Sequence, residues 1–188
     1  LDKEELWEDL INAICRCKRC PLAATRTNAV PGEGNKNARL MFIGEGPGRD
    51  EDLQGRPFVG KAGQLLDRMI EAIGLKREDV YIANIVKCRP PLNRVPEDEE
   101  AERCLPFLRR QVYLIRPDVM VCLGATALKH IAGKELRITP SRGMWFERKG
   151  FGIIATYHPA ALLRDPDKKR QAWEDFKKIR DRLKDIRV

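Results

Sequence analysis

The chain lacks any apolar run long enough to cross a bilayer. Its longest, such as DVMVCLGATAL at 118–128, stop well short of the roughly 20 residues a spanning helix needs. The charged opening LDKEELWEDL is unlike a secretory signal, so a soluble, cytoplasmic protein with no membrane partner is expected. There is no internal repeat and no low-complexity linker, and 188 residues fit one domain, 1–188. Histidine is scarce, with only His130 and His158 present. A complete nucleotide loop is also missing. GEGPGRDED, from Gly44, has G-x-G-x-G spacing, with Pro47 where a dinucleotide fingerprint needs a helix-opening residue. GRPFVGKAG, from Gly55, follows a phosphate-binding loop as far as Lys61, but Ala62 replaces the magnesium-binding Ser or Thr and no strand precedes it. A nucleotide-dependent enzyme is therefore the weakest reading.

Positive charge is what the chain has in excess. Lys and Arg number 36 against 28 Asp and Glu, a net charge of +8 with a pI near 9.3. That surplus fits an anionic partner, or an ion-paired surface of the kind thermophiles carry, with the closing helix DKKRQAWEDFKKIRDRLKDI as a solvated face. Six cysteines in an intracellular chain point to metal or redox chemistry rather than disulfides. Cys122, in VMVCLG, reads as a small core residue, and so does Cys15 at the apolar end of the first helix. Cys17-x-x-Cys20, Cys88 and Cys104 remain: four soft ligands that suit zinc or an iron–sulfur cluster equally.

Leu6, Leu10, Ile11 and Ile14 recur at helical spacing, so a first helix leads into the cysteine loop. RLMFIGEG, VYIANIV, DVMVCLG and FGIIATYHP read as buried strands. Between them KAGQLLDRMIEAIGL, PEDEEAERCLPFLRRQVYLI (bent or broken near Pro106) and ATALKHIAG read as helices. The alternation predicts an α/β fold, a three-layer α/β/α with a central four-stranded parallel sheet. Ligands bind such sheets at the carboxyl ends of the strands. There the chain places GEGPG at 44–48, Asn84, Gly124 with Thr126, and Tyr157-His158-Pro159.

Taken together, GEGPGRDED, GRPFVGKAGQLL, NIVKCRPPLNR and YHPAALLR, in this order and with the four cysteines, resemble the family 4 uracil-DNA glycosylases, the iron–sulfur members of their superfamily. The resemblance runs from Cys17 to the last strand. It implies a monofunctional DNA-repair hydrolase that flips uracil out of DNA, cuts its N-glycosidic bond and leaves free uracil and an abasic site. It also implies a [4Fe–4S] cluster on Cys17, Cys20, Cys88 and Cys104, formed by the N-terminal loop and the 88–104 segment. Asn84 would read the uracil edge and Phe58 would stack on the flipped ring. The backbone of Gly44 and Gly46 would contact uracil or phosphate, and His158 would donate to the uracil O2.

Where superfamily relatives carry an acidic or amide residue at the third position of the glycine turn, this chain has Gly46. Glu45, Glu51 and Asn93 are then the candidates to hold the attacking water. Gly48 stands where some relatives place a tyrosine against the thymine methyl, a task Glu51 could assume. LNRVPEDE lacks the histidine-bearing loop of relatives that capture uracil covalently, so turnover is expected. Leu162 and Leu163 divide between wedging into DNA and packing on the sheet. Arg164, Arg142 and Lys61 are candidate phosphate contacts. Uracil-containing DNA, a replication sliding clamp as recruiter, and a monomeric state complete the expectation. A metal-bearing DNA- or RNA-binding module without catalysis is the competing reading.

Overall fold

The structure is a computed structural model and describes residues 2–186. It opens with α1 (Lys3–Cys15), where Asp2 and Glu5 form a reciprocal capping box. α2 (Leu22–Thr25) and β1 (Glu33–Gly34) follow, then β2 (Leu40–Gly44), α3 (Arg49–Gln54), α4 (Lys61–Ala72) and β3 (Tyr81–Asn84). α5 (Asp98–Ile115) leads to β4 (Val119–Leu123), α6 (Ala125–Ile131) and α7 (Ile138–Ser141). The last elements are β5 (Trp145–Arg148), β6 (Phe151–Thr156), α8 (Pro159–Arg164) and α9 (Lys169–Asp185). Among the described residues no helix is long and apolar enough to cross a membrane.

The sheet has six strands in the order β1-β3-β2-β4-β6-β5, which corrects the expected four. The four expected strands do form its parallel centre, while β1 and β5 pair antiparallel at the two edges. β1 is two residues long and has no readable period. β5 joins β6 through Lys149 and Gly150, both at positive φ, and its outer residues are exposed, so it carried no apolar signal. Pro106 also departs from expectation, because α5 runs through it as one helix.

Strand residues alternate between two cores, as the two-residue period of a strand requires. Met41, Ile43, Ala83, Met120, Cys122 and Ala155 face α1, α5 and α6; Leu40, Phe42, Ile82, Val121, Leu123 and Ile154 face α4 and α9. All five β2 and all five β4 residues are buried, which explains their unbroken apolar runs. The chain passes from β2 outward to β3 and then back across to β4, so β2 and β4 flank a switch point. A crevice forms above such a point.

Candidate active site

A cleft of about 660 Å³ opens at that switch point, lined by the residues that leave β2, β3, β4 and β6. Glu45, Asn84, Gly124 and His158 come from those four strand ends, and Phe58 from the loop before α4. Asn84 is almost wholly buried, and its side-chain Oδ1 has no hydrogen-bond partner. Gly44 pairs with Asn84 in the sheet register and stands behind the cleft wall rather than in it. A Cβ on Gly44 would lie 2.5 Å from Asn84 Oδ1 and 2.5 Å from the Phe58 ring, so the missing side chain is what lets both approach. Phe58 itself sits at φ 51, a conformation that non-glycine residues avoid. Arg77 holds it there, donating to the carbonyls of Pro57 (2.5 Å) and Phe58 (3.0 Å) while pairing with Asp67 and Glu33.

His158 caps α8, and its Nδ1 accepts the Ala160 N–H at 3.0 Å. Its ring stacks on Phe58 with centroids 5.4 Å apart. Burial, helped by the nearby Arg164 charge, pushes its pKa from 6.5 down to about 4. The imidazole is therefore neutral at ordinary pH, and with Nδ1 accepting, its proton stands on Nε2 as a donor. Glu45 is fixed by the Thr126 hydroxyl, which donates to its carboxylate at 2.5 Å.

The other acidic candidate is differently engaged. Glu51 accepts the N–H groups of Val59 and Gly60 at 3.0 Å each and of Gly48 at 3.1 Å. It lines the cleft, but its oxygens clamp the glycine turn to the Phe58 loop. Gly46 also lines the cleft, with Val86 close behind it. Asn93 lies on the exposed rim, its Oδ1 accepting from Arg89 at 2.7 Å. Arg164 and Lys61 line the mouth, whereas Arg142 is tied to the buried Asp175 at 2.7 Å. Leu162, expected to touch DNA, is instead 1 % exposed here and packs with Leu65, Tyr157 and Ala172, so of the two leucines it is the one on the core. His130 lies outside the cleft, its ring buried and its Nε2 3.6 Å from Asp98.

Cys17, Cys20, Cys88 and Cys104 line one small chamber between the N-terminal loop and α5, with Ile14, Lys87 and Phe107. Among the described residues no three His, Cys, Asp or Glu side chains are gathered as around a single ion. Cys88 accepts from the Arg26 guanidinium at 3.0 Å and Cys104 from the Lys87 N–H at 3.3 Å. Burial pushes the Cys104 thiol up to about 11, against the pull of Lys87. The Lys87 ammonium is itself buried, donating to the Asn84 carbonyl (3.1 Å) and to Gln111 (2.7 Å). Cys122 is in the core as expected, but Cys15 is exposed.

Several supports were invisible in the sequence. Thr126 was noted only for its place on the rim, and Arg77 and Lys87 gave no signal, because each acts on a residue brought near by folding. Lys87 at least had one available cue, a cation inside the apolar run that ends β3.

Residues 31–177 match the family model of the uracil DNA glycosylase superfamily. A type-4 uracil-DNA glycosylase of Archaeoglobus fulgidus is 48 % identical over 183 residues, covering 93 % of this chain and 92 % of that protein. One from Thermotoga maritima is 47 % identical over 188 residues, covering 97 % of each. A type-5 uracil-DNA glycosylase of Pyrobaculum aerophilum is 32 % identical over 190 residues, covering 83 % of each. With this family match over the residues that build the cleft, and type-4 relatives alike over nearly their full length, the chain belongs to the uracil DNA glycosylase superfamily and, within it, to the type-4 uracil-DNA glycosylases.

Proposed function

We propose that the chain excises uracil from DNA, taking the extruded base into the cleft, hydrolysing its N-glycosidic bond and releasing it to leave an abasic site. The observation that carries this reading is the orphaned Oδ1 of Asn84. A buried acceptor without a partner costs about 1–3 kcal/mol, so the cleft is built for a ligand that supplies the missing donor. The uracil N3–H does so, and the same amide donates through Nδ2 to the uracil O4. Phe58, at the same wall, offers an aromatic face for the base.

As the bond to the sugar breaks, negative charge gathers on the uracil and positive charge on the sugar. The Nε2–H of neutral His158 donates toward the uracil O2, where it stabilises the departing anion. Glu45, steadied by Thr126, orients the attacking water and faces the cationic sugar; Asn93 is a second water holder at the rim. Water is the nucleophile, so the enzyme is monofunctional and turns over. Glu51 keeps the two cleft loops in register. Lys61 and Arg164 at the mouth meet the phosphates.

Cys17, Cys20, Cys88 and Cys104 would hold a [4Fe–4S] cluster. Four thiols on one chamber with two N–H donors aimed at sulfur fit such a group, and thiols whose burial raises their pKa become thiolates only beside a strong positive charge. Bound there, the cluster supplies a cross-link between the N-terminal loop and the 88–104 segment, making 1–188 one domain. The test of the activity is incubation with an oligonucleotide carrying one uracil, followed by alkaline cleavage. A strand break at the uracil alone is expected; an intact strand would overturn the proposal and leave a DNA-binding module.

A further inference from the structure

Lys87 is 1 % exposed, and its side chain lies between the cysteine chamber and the cleft. On the chamber side it lines the wall, and its backbone N–H donates to Cys104 Sγ at 3.3 Å. On the cleft side its Nζ donates to the Asn84 carbonyl at 3.1 Å. Nζ also donates to Gln111 Oε1 on α5 at 2.7 Å. Gln111 is wholly buried and is fixed from behind, its Nε2 donating to the Pro31 carbonyl at 2.8 Å and to the Tyr81 hydroxyl at 3.2 Å. The ammonium is therefore aimed by α5 at the end of β3.

Asn84 has use for such a bond. β1 pairs with Tyr81 and Ile82, so on that edge the ladder stops two residues short of Asn84. The Asn84–Ile85 peptide is instead held from its two ends: the Ile85 N–H donates to the Gly44 carbonyl at 2.9 Å, and the Asn84 carbonyl accepts from Lys87. Tilting that peptide tilts the Asn84 side chain, whose Oδ1 stands without a partner. The charge has its own logic. A buried ammonium whose acceptors are neutral oxygens is costly, and an apolar side chain of the same length would fill the space at less cost. The opposite charge comes from the four cysteines beside it, which are anionic around a bound metal.

We infer that Lys87 is a positioning residue: its ammonium locks the Asn84–Ile85 peptide, and with it the side chain that meets the base, while drawing its counter-charge from the filled cysteine chamber. The inference rests on the excision reading and on the cysteine set above. It gives the chamber a second task besides tying two segments together, since the cation that balances it is the same one that sets the cleft. A misplacement of about 1 Å at a group that orients a substrate is enough to cost roughly a hundredfold in rate. Arg26 is the contrasting cation. It too donates to a chamber sulfur, but its other bond goes to the Cys15 carbonyl, away from the cleft.

The experiment compares the iron-loaded wild type, Lys87→Met, Asn84→Ala and the double variant in single-turnover excision of uracil from DNA, with iron release to a chelator measured alongside. Lys87→Met is expected to slow excision by about tenfold or more in the wild-type background. On the residual rate of Asn84→Ala it should act by less than about twofold, because a reader that is absent needs no positioning. Iron release from Lys87→Met should quicken by about tenfold. Equal slowing with and without the Asn84 side chain would overturn the inference in favour of a general loosening of the fold. Iron release unchanged by Lys87→Met would overturn the counter-charge. If Lys87→Met does not fold, Gln111→Met, which takes away the ammonium's second acceptor, carries the same comparison with the same loss of effect expected in Asn84→Ala. If wild type leaves uracil in place while Lys87→Met still sheds iron faster, the excision reading fails and the tie between Lys87 and the chamber stands.

Discussion

On the proposed reading, Asn84 concentrates base choice in one side chain. Uracil offers it a donor and an acceptor, cytosine the reverse, so an amide fixed by the Gly44 gap mismatches cytosine at both atoms. A site built for one hydrogen-bond pattern rejects the other by roughly ten-thousandfold or more. Asn84→Asp should lose uracil excision and gain weak cytosine excision, because a carboxyl can accept from the cytosine amino group and, when protonated, donate to its N3. Asn84→Ala should lose uracil excision and gain nothing. Single-turnover rates on both bases decide it, and near-normal uracil excision by Asn84→Ala would move base reading elsewhere. For His158, replacement by alanine should slow excision by about two to three orders of magnitude, the cost of one such donor. Its pH behaviour is distinctive. With its pKa depressed from 6.5 to about 4, the folded enzyme keeps the neutral ring down to about pH 4, so the excision profile should show no His158-linked fall near 6.5. The unfolded chain takes up that proton as pH drops through 6.5, so the stability tied to this group is full above 6.5 and is lost between 6.5 and 4. Unfolding midpoints and excision rates across pH 4–8 should separate in this way. The place of both residues in the cleft wall was legible from the sequence because strand ends and a Tyr-His-Pro sequence mark them. The commitment of Glu51 to three N–H groups was not, since a carboxylate near a glycine turn looks the same whether it clamps a loop or holds water.

At the scale of elements, α9 is locked to the sheet by one buried carboxylate. Asp175 is fully buried and accepts from the Thr156 hydroxyl at 2.7 Å and from Arg142 at 2.7 and 3.0 Å. Asp175→Ala leaves a buried arginine contact and a buried hydroxyl unpaired, and denaturant unfolding should show a loss of about 3–5 kcal/mol. A loss below about 1 kcal/mol would mean that α9 is held by Phe176, Ile179 and Leu183 alone. The sequence read α9 as a charged, solvated face and had no means of seeing that one of its acids points inward. The same limit explains Leu162 and Leu163. On a helix of six residues, adjacent leucines give no period, so which one is buried depends on where β6 delivers the chain. The four parallel strands were legible because strands buried on both faces are apolar throughout. β1 and β5 were not, because edge strands bury little and announce little.

For the molecule as a whole, the thiol chamber joins residues about 70 positions apart between Cys20 and Cys88. The protein should be brown as isolated, with about four irons per chain, and removing the iron should lower its melting temperature. A colourless protein with one zinc would refute the cluster. That four cysteines form one set was readable from spacing and surroundings; what surrounds them was not, because Arg26, Lys87 and Phe107 meet only in the fold. The construction of the cleft from four strand ends also has a consequence in time. Asn84 leaves the ribosome long before His158, by about 70 residues, or several seconds at ordinary rates of synthesis. Until β6 threads in beside β4, a nascent chain has the proposed reader without the proposed donor, and α8 lacks its His158 cap. On the proposed roles, a chain interrupted between the two would hold the base without cutting its glycosidic bond, a step that awaits the last parallel strand.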